Sequence, residues 1–173
     1  MLTSEQIVDN FIHTFIEEWD GRSNKFYNKV KKAFIDRGAN ILNNKEKNKI
    51  REILFVNGNL NADIVGKSAF VIAQMAGLDI PKTSKVLIGE VESTSVEEPF
   101  AHEKLSPVLA MYKTNTFEES LKIAEDLVEL GGLGHTSSLY INLSEREKID
   151  EFGRSMKTGR TLINMPASLG AIG

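Results

Sequence analysis

Beyond Pro81 the hydrophobic period of the chain changes, and that change restricts the fold more than any other feature. Lys85-Val86-Leu87-Ile88-Gly89-Glu90-Val91 and Pro107-Val108-Leu109-Ala110-Met111-Tyr112 are short apolar runs bounded by polar or turn residues, the pattern of buried strands. Two helix–strand pairs follow. Thr116-Phe117-Glu118-Glu119 has the pattern of a capped helix start and predicts a helix to Leu130, then a strand at Ser138-Leu139-Tyr140-Ile141-Asn142. Ser144-Glu145-Arg146-Glu147 predicts a second helix to about Lys157, then a strand at Thr161-Leu162-Ile163-Asn164. Strands that alternate with helices favour parallel pairing, so the expectation is an α/β fold with a largely parallel sheet flanked by helices.

The part before Pro81 reads as helical. Thr3 to Gln6 has capping-box spacing, and Ile7, Val8, Phe11, Ile12, Phe15, Ile16 and Trp19 recur at helical intervals, which predicts a first helix ending at Asp20-Gly21. His13 falls on that helix. A second helix is expected from about Lys25 to Arg37, burying Phe26, Val30 and Phe34, with Gly38 left-handed at its end. A third runs over Lys45 to Phe55, and Ser68 to Met75 reads as a short buried helix stopped by Gly77 and Pro81. Asn57-Gly58 and Asn59-Leu60-Asn61 are turn chemistry.

Composition removes several classes of function. At 173 residues, with 41% hydrophobic and 26% charged, the chain is long enough to bury a core as one domain. A net charge of −3 argues against a nucleic-acid partner, which calls for a basic surface. No apolar run approaches a membrane span and the first residues carry no secretory pattern, so the expectation is a cytoplasmic protein without a membrane partner. There is no cysteine, which excludes disulfides, thiolate metal sites and a thiolate nucleophile within these residues. No Gly-x-Gly-x-x-Gly turn, phosphate-binding loop or His-Glu-x-x-His helix is present, and no metal site is expected. Gly131-Gly132-Leu133-Gly134 follows a helix and precedes a strand, the wrong order for a phosphate loop, and reads as a helix end.

Glu97, Glu98, His102, Glu103 and Lys104 crowd ionisable groups between two strands, where open parallel sheets place their sites. A solvated charged loop gives the same local pattern. His102 beside Glu103 could form a proton-transfer pair, although neighbouring side chains often diverge. His135 opens a strand and reads as a loop-bonding residue.

The run from Glu98 to Tyr112, Glu-Pro-Phe-Ala-His-Glu-Lys-Leu-Ser-Pro-Val-Leu-Ala-Met-Tyr, is long and specific. It resembles the CoA-acylating acetaldehyde dehydrogenase domain of the bifunctional aldehyde-alcohol dehydrogenases. Asn57 to Gly66, Leu87 to Val91, Gly131 to Tyr140, and Ile163-Asn164 with Pro166-Ala167-Ser168 match the same domain in the same order. The resemblance runs from Phe26 onward over residues 26–173, as part of the catalytic subdomain; residues 1–25 match poorly and are read as a divergent helix. It implies conversion of an aldehyde, CoA and NAD to an acyl-CoA and NADH, commonly acetaldehyde to acetyl-CoA in fermentation. In that chemistry a cysteine thiolate attacks the aldehyde, the thiohemiacetal gives up hydride, and CoA takes the acyl group. The resemblance makes Glu103 the residue on the nicotinamide ribose hydroxyls and Leu105 one that packs near the nicotinamide. His102 would sit near the thioester or CoA as the catalytic candidate. Ser138 stands where several relatives carry a non-nucleophilic cysteine and is not assigned to catalysis.

In the family, the nucleotide-binding Rossmann domain and the nucleophile precede the region that Phe26 begins. Ser4-Glu5-Gln6 matches residues after that nucleophile and would put Leu2 at its position. After the matched region relatives continue into further catalytic structure, an oligomerisation strand and an iron-dependent alcohol dehydrogenase domain. Two classes of function follow: part of an NAD- and CoA-dependent enzyme, inactive alone and completed by an aldehyde dehydrogenase relative, or a non-catalytic remnant that associates with such relatives or with itself. The stripe of Phe11, Phe15 and Trp19 fits either a packed helix or a partner-binding one.

Overall fold

The computed structural model describes residues 12–15 and 23–167, with side chains from Tyr27 onward. These fall into two compact units, one of residues 28–112 and one of residues 12–15, 23–27 and 113–167. Each unit holds a three-stranded sheet, and every pairing in both sheets is parallel. The chain is α/β, as its alternation of periods requires.

α1 (Ser23–Asp36), of which residues 28–36 belong to the first unit, is followed by Gly38, whose φ of 98° is the left-handed turn expected of it. β2 (Ala39–Leu42) follows. This strand has no counterpart among the sequence expectations, because four residues with one asparagine are too short to show a period. Asn43 then caps α2 (Asn44–Leu54): its side chain accepts from the N–H groups of Lys45 and Glu46, while Glu46 accepts from the Asn43 N–H. Ile50 and Leu54, one helical turn apart, are wholly buried.

The Asn57-Gly58 turn has φ of 52° and 77°, so both residues are left-handed and close a hairpin of β3 (Phe55–Val56) on β4 (Asn59–Leu60). Ser68 caps α3 (Ala69–Met75), which ends before the left-handed Gly77. β5 (Val86–Glu90) and β6 (Val108–Met111) complete the sheet in the order β2-β5-β6, with Ile41 opposite Ile88 and Ile88 opposite Leu109. Ile50, Leu54, Ile64, Ile72, Leu87, Phe100 and Val108 form its dry centre.

The second unit pairs β1 (Ile12–Phe15), β7 (Thr136–Tyr140) and β8 (Arg160–Ile163) in the order β1-β7-β8. Here the expected first helix is corrected. His13 pairs with Ser138 in a parallel ladder, so residues 12–15 are strand, and hydrogen bonding to a neighbouring strand has overridden their helical spacing. The rest of that predicted helix, including the Thr3 capping box, Leu2 and Asp20-Gly21, lies outside the described residues, as does Ser168.

α4 (Phe117–Gly131) buries Phe117, Leu121, Ala124 and Val128 at helical intervals. Thr116 Oγ1 accepts from the Glu119 N–H and Glu119 accepts from the Asn115 N–H, so the predicted cap is present. Gly132, with φ of 91°, ends the helix. β7 begins two residues earlier than its expected start at Ser138. α5 (Arg146–Ser155) starts after Glu145 without a side-chain cap, where Ser144 was expected to serve. No helix among the described residues is long and apolar enough to cross a membrane.

Candidate functional site

The segment between β5 and β6 contains all three residues singled out as a site, and it is built from beneath by packing. Phe100 is 1% exposed, in the 3₁₀ turn Pro99–Ala101. Its ring lies against Gly89 of β5 so closely that a Cβ there would stand 2.6 Å from Phe100 Cε1. Glycine is therefore required at this position of β5. Glu98 caps the turn through the Phe100 N–H at 3.1 Å.

Glu98 is also held by Arg51 of α2 in a two-pronged ion pair, with Nε to Oε1 at 3.0 Å and Nη2 to Oε2 at 2.8 Å. The same guanidinium lies 5.5 Å above the Phe100 ring. Burial pushes the Glu98 carboxyl up, but the Arg51 and Phe100 hydrogen bonds and the charges of Arg51 and Lys47 outweigh it and hold the group below the usual carboxylate range.

His102 leaves the turn with its ring 5.0 Å from that of Phe55 and with Nε2 2.7 Å from the Val96 carbonyl. A carbonyl only accepts, so Nε2 carries the proton; in the neutral ring the lone pair then lies on Nδ1. The ring is engaged with Val96 and Phe55. Glu103, next in sequence, is half-buried, and its carboxylate forms no hydrogen bond or ion pair among the described residues.

Lys104 was legible only as one more charge in a loop. It is 5% exposed, and its ammonium donates to the Phe100 carbonyl at 2.7 Å and to the His102 carbonyl. Desolvation pulls its pKa down to about 8 against the opposing effect of Glu98 and Glu103. Leu105 has φ of 45° and is 41% exposed, a left-handed conformation that a branched apolar residue adopts only when its surroundings impose it. The Gly66 N–H, donating to the Leu105 carbonyl at 3.1 Å, supplies part of that constraint. His102, Glu103 and Leu105 thus stand on one short, braced segment.

Arg51, Phe55 and Gly66 belong to this arrangement, and nothing in the sequence tied them to it, since they are 39 to 49 positions from the residues they contact. In the other unit His135 Nε2 donates to the Gly131 carbonyl at 3.2 Å, a helix-end contact in keeping with the loop-bonding role expected of it. The hydroxyls of Ser137 and Ser138 are buried without a hydrogen-bond partner among the described residues.

Known proteins share both sequence and fold with the chain. The aldehyde-alcohol dehydrogenase of Clostridium acetobutylicum is 55% identical over 148 residues, covering 85% of this chain and 17% of that protein. The bifunctional aldehyde-alcohol dehydrogenase of Escherichia coli K12 is 47% identical over the same length, again 85% and 17%. Among solved structures, an acetylating aldehyde dehydrogenase from Geobacillus thermoglucosidasius superposes with a TM-score of 0.78 at 33% identity, over 98% of this chain and 39% of that one. The chain thus spans about a sixth of the length of these two curated relatives. No protein-family model matches it.

Proposed function

Because the chain belongs to the acylating aldehyde dehydrogenases, of which it spans a part, we propose that it forms part of the catalytic portion of an NAD-dependent CoA-acylating aldehyde dehydrogenase. The reaction is acetaldehyde, CoA and NAD to acetyl-CoA and NADH. The observation that carries this reading is the pairing of Glu103, whose carboxylate has no hydrogen bond or ion pair among the described residues, with an exposed Leu105 held in a left-handed backbone.

The residues fit the groups they would meet. A ribose diol offers two O–H donors, and the Glu103 carboxylate has acceptors free for both. The exposed Leu105 side chain offers an apolar surface for a nicotinamide face. His102, with Nε2–H given to Val96, presents Nδ1 as a base near the acyl group or the CoA thiol. NAD, when bound, accepts hydride, and CoA supplies the thiol that takes the acyl group. These 173 residues contain no cysteine, so in this reading the thiolate comes from residues outside them.

The test is NADH formation from acetaldehyde, CoA and NAD by the purified chain, alone and mixed with a cysteine-containing relative that lacks this region. Activity in the mixture only is expected. With activity restored, Glu103→Ala raises KM for NAD and His102→Ala slows acyl transfer to CoA. Silence in both samples from a folded chain overturns the catalytic reading in favour of a non-catalytic interaction module, and unchanged kinetics in both variants removes the two residue roles.

A further inference from the structure

The residues read as chemical stand on a backbone gripped at two points. The peptide between His102 and Glu103 is held through the His102 carbonyl by the Lys104 ammonium, and the peptide after Leu105 is held through its carbonyl by the Gly66 N–H. The second grip is backbone to backbone. The first comes from a side chain that begins inside the gripped segment and folds back beneath it, also taking the Phe100 carbonyl at 2.7 Å. An apolar side chain of the same length would fill the space and leave both carbonyls without this donor. A charge is retained in a site that is 5% exposed, where desolvation makes it costly.

We propose that Lys104 is the positioning residue of this segment. By bridging the carbonyls of Phe100 and His102, its ammonium sets the backbone from which His102, Glu103 and Leu105 are presented. The inference rests on the function proposed above for those three residues, while the grip itself can be measured without it. Lys104 touches neither nucleotide nor substrate in this assignment; it acts through the peptide that precedes Glu103. Its methylene stem packs in the interior and its ammonium closes the turn.

The experiment uses the whole chain and exploits its lack of cysteine. Wild type is compared with Lys104→Met, and with Lys104→Cys before and after alkylation by 2-bromoethylamine. The alkylation is done unfolded and followed by refolding, which rebuilds an ammonium of nearly the lysine length at one position only. The first readout is the ring nitrogen NMR signal of His102. Wild type is expected to show Nε2 protonated through its Val96 bond; Lys104→Met loses that fixed tautomer, with the amide signals of residues 100–105 displaced and those of residues 117–163 unmoved. The alkylated protein regains the wild-type pattern. An unaltered His102 ring and segment in Lys104→Met overturns the proposal, and so does failure of the alkylated protein to recover if the Met variant does not fold.

The second readout is KM for NAD against kcat in the mixture with the complementing relative. About a tenfold rise in KM for NAD together with slower acyl transfer to CoA is expected for Lys104→Met, both reversed by alkylation of the Cys variant. Unchanged kinetics in Lys104→Met, or a loss that alkylation does not reverse, overturns a positioning role. If wild type is silent in that mixture the function proposed above fails, and the NMR readout alone decides the grip.

Discussion

Two loops that follow sheet strands, one in each unit, are held by opposite chemistry. After β5, ionised groups do the holding: Arg51 on Glu98, and Lys104 on the carbonyls of Phe100 and His102. After β8, a neutral amide suffices. Asn164, left-handed at φ of 52°, accepts from the Ile141 N–H at 2.8 Å, donates to the Ile141 carbonyl at 2.9 Å, and gives its own N–H to Leu139 at 2.7 Å. Neutral bonds hold the residue after a strand at little desolvation cost, whereas buried charge is costly and is stabilising only where its partners are complete. The difference teaches that the hold on the loop after β5 depends on protonation state and the hold on the loop after β8 does not. The charged grip is found where the proposed chemistry lies.

The largest effect expected is from Phe100→Ala, which empties the support under the charged loop and should destabilise the chain by about 3–5 kcal/mol. Urea unfolding followed by circular dichroism measures it; a loss under about 1 kcal/mol would mean that the ring does not carry the loop. Next is pH. Lys104 ionises near 10.5 when solvated and at about 8 when folded, so between those values the unfolded chain binds more protons and stability rises with pH. From pH 8 to 10 the gain should be on the order of 2 kcal/mol and vanish in Lys104→Met. The window stops at 10 because burial raises the Tyr112 hydroxyl above its usual value, and a raised group is stabilising only until pH passes its unfolded value. A flat profile in wild type would erase the contrast between the two loops.

On the neutral side, Asn164→Ala leaves both polar groups of Ile141 without their partner and should cost about 1–2 kcal/mol, the same at pH 8 and pH 10. A pH-dependent loss there would contradict the comparison. The smallest effect is a gain. Ser138→Ala removes a hydroxyl that is 2% exposed and has no partner among the described residues, and should stabilise by about 1 kcal/mol in the same urea series. Destabilisation instead would reveal an acceptor for that hydroxyl.

Most of the architecture was legible from the chain alone, for a local reason. α2, α3, α4, β5 and β6 each pair a hydrophobic period with a cap or turn residue that acts over a few positions, as Thr116 does with Glu119 and Gly38 does after α1. The run from Glu98 to Tyr112 also points to the family by itself. Where a strand needs a distant partner, local pattern failed. β2 showed no period over four residues, and the helical spacing around His13 gave way to a ladder with Ser138, 125 positions away. The grip on the candidate site is of that second kind. His102, Glu103 and Leu105 could be named from their order in the chain, but the burial of Lys104, the strain at Leu105 and the hold of Arg51 on Glu98 depend on which distant segments exclude water. Desolvation is a property of the packed neighbourhood, so only the tertiary structure could turn one charge of a loop into its internal brace.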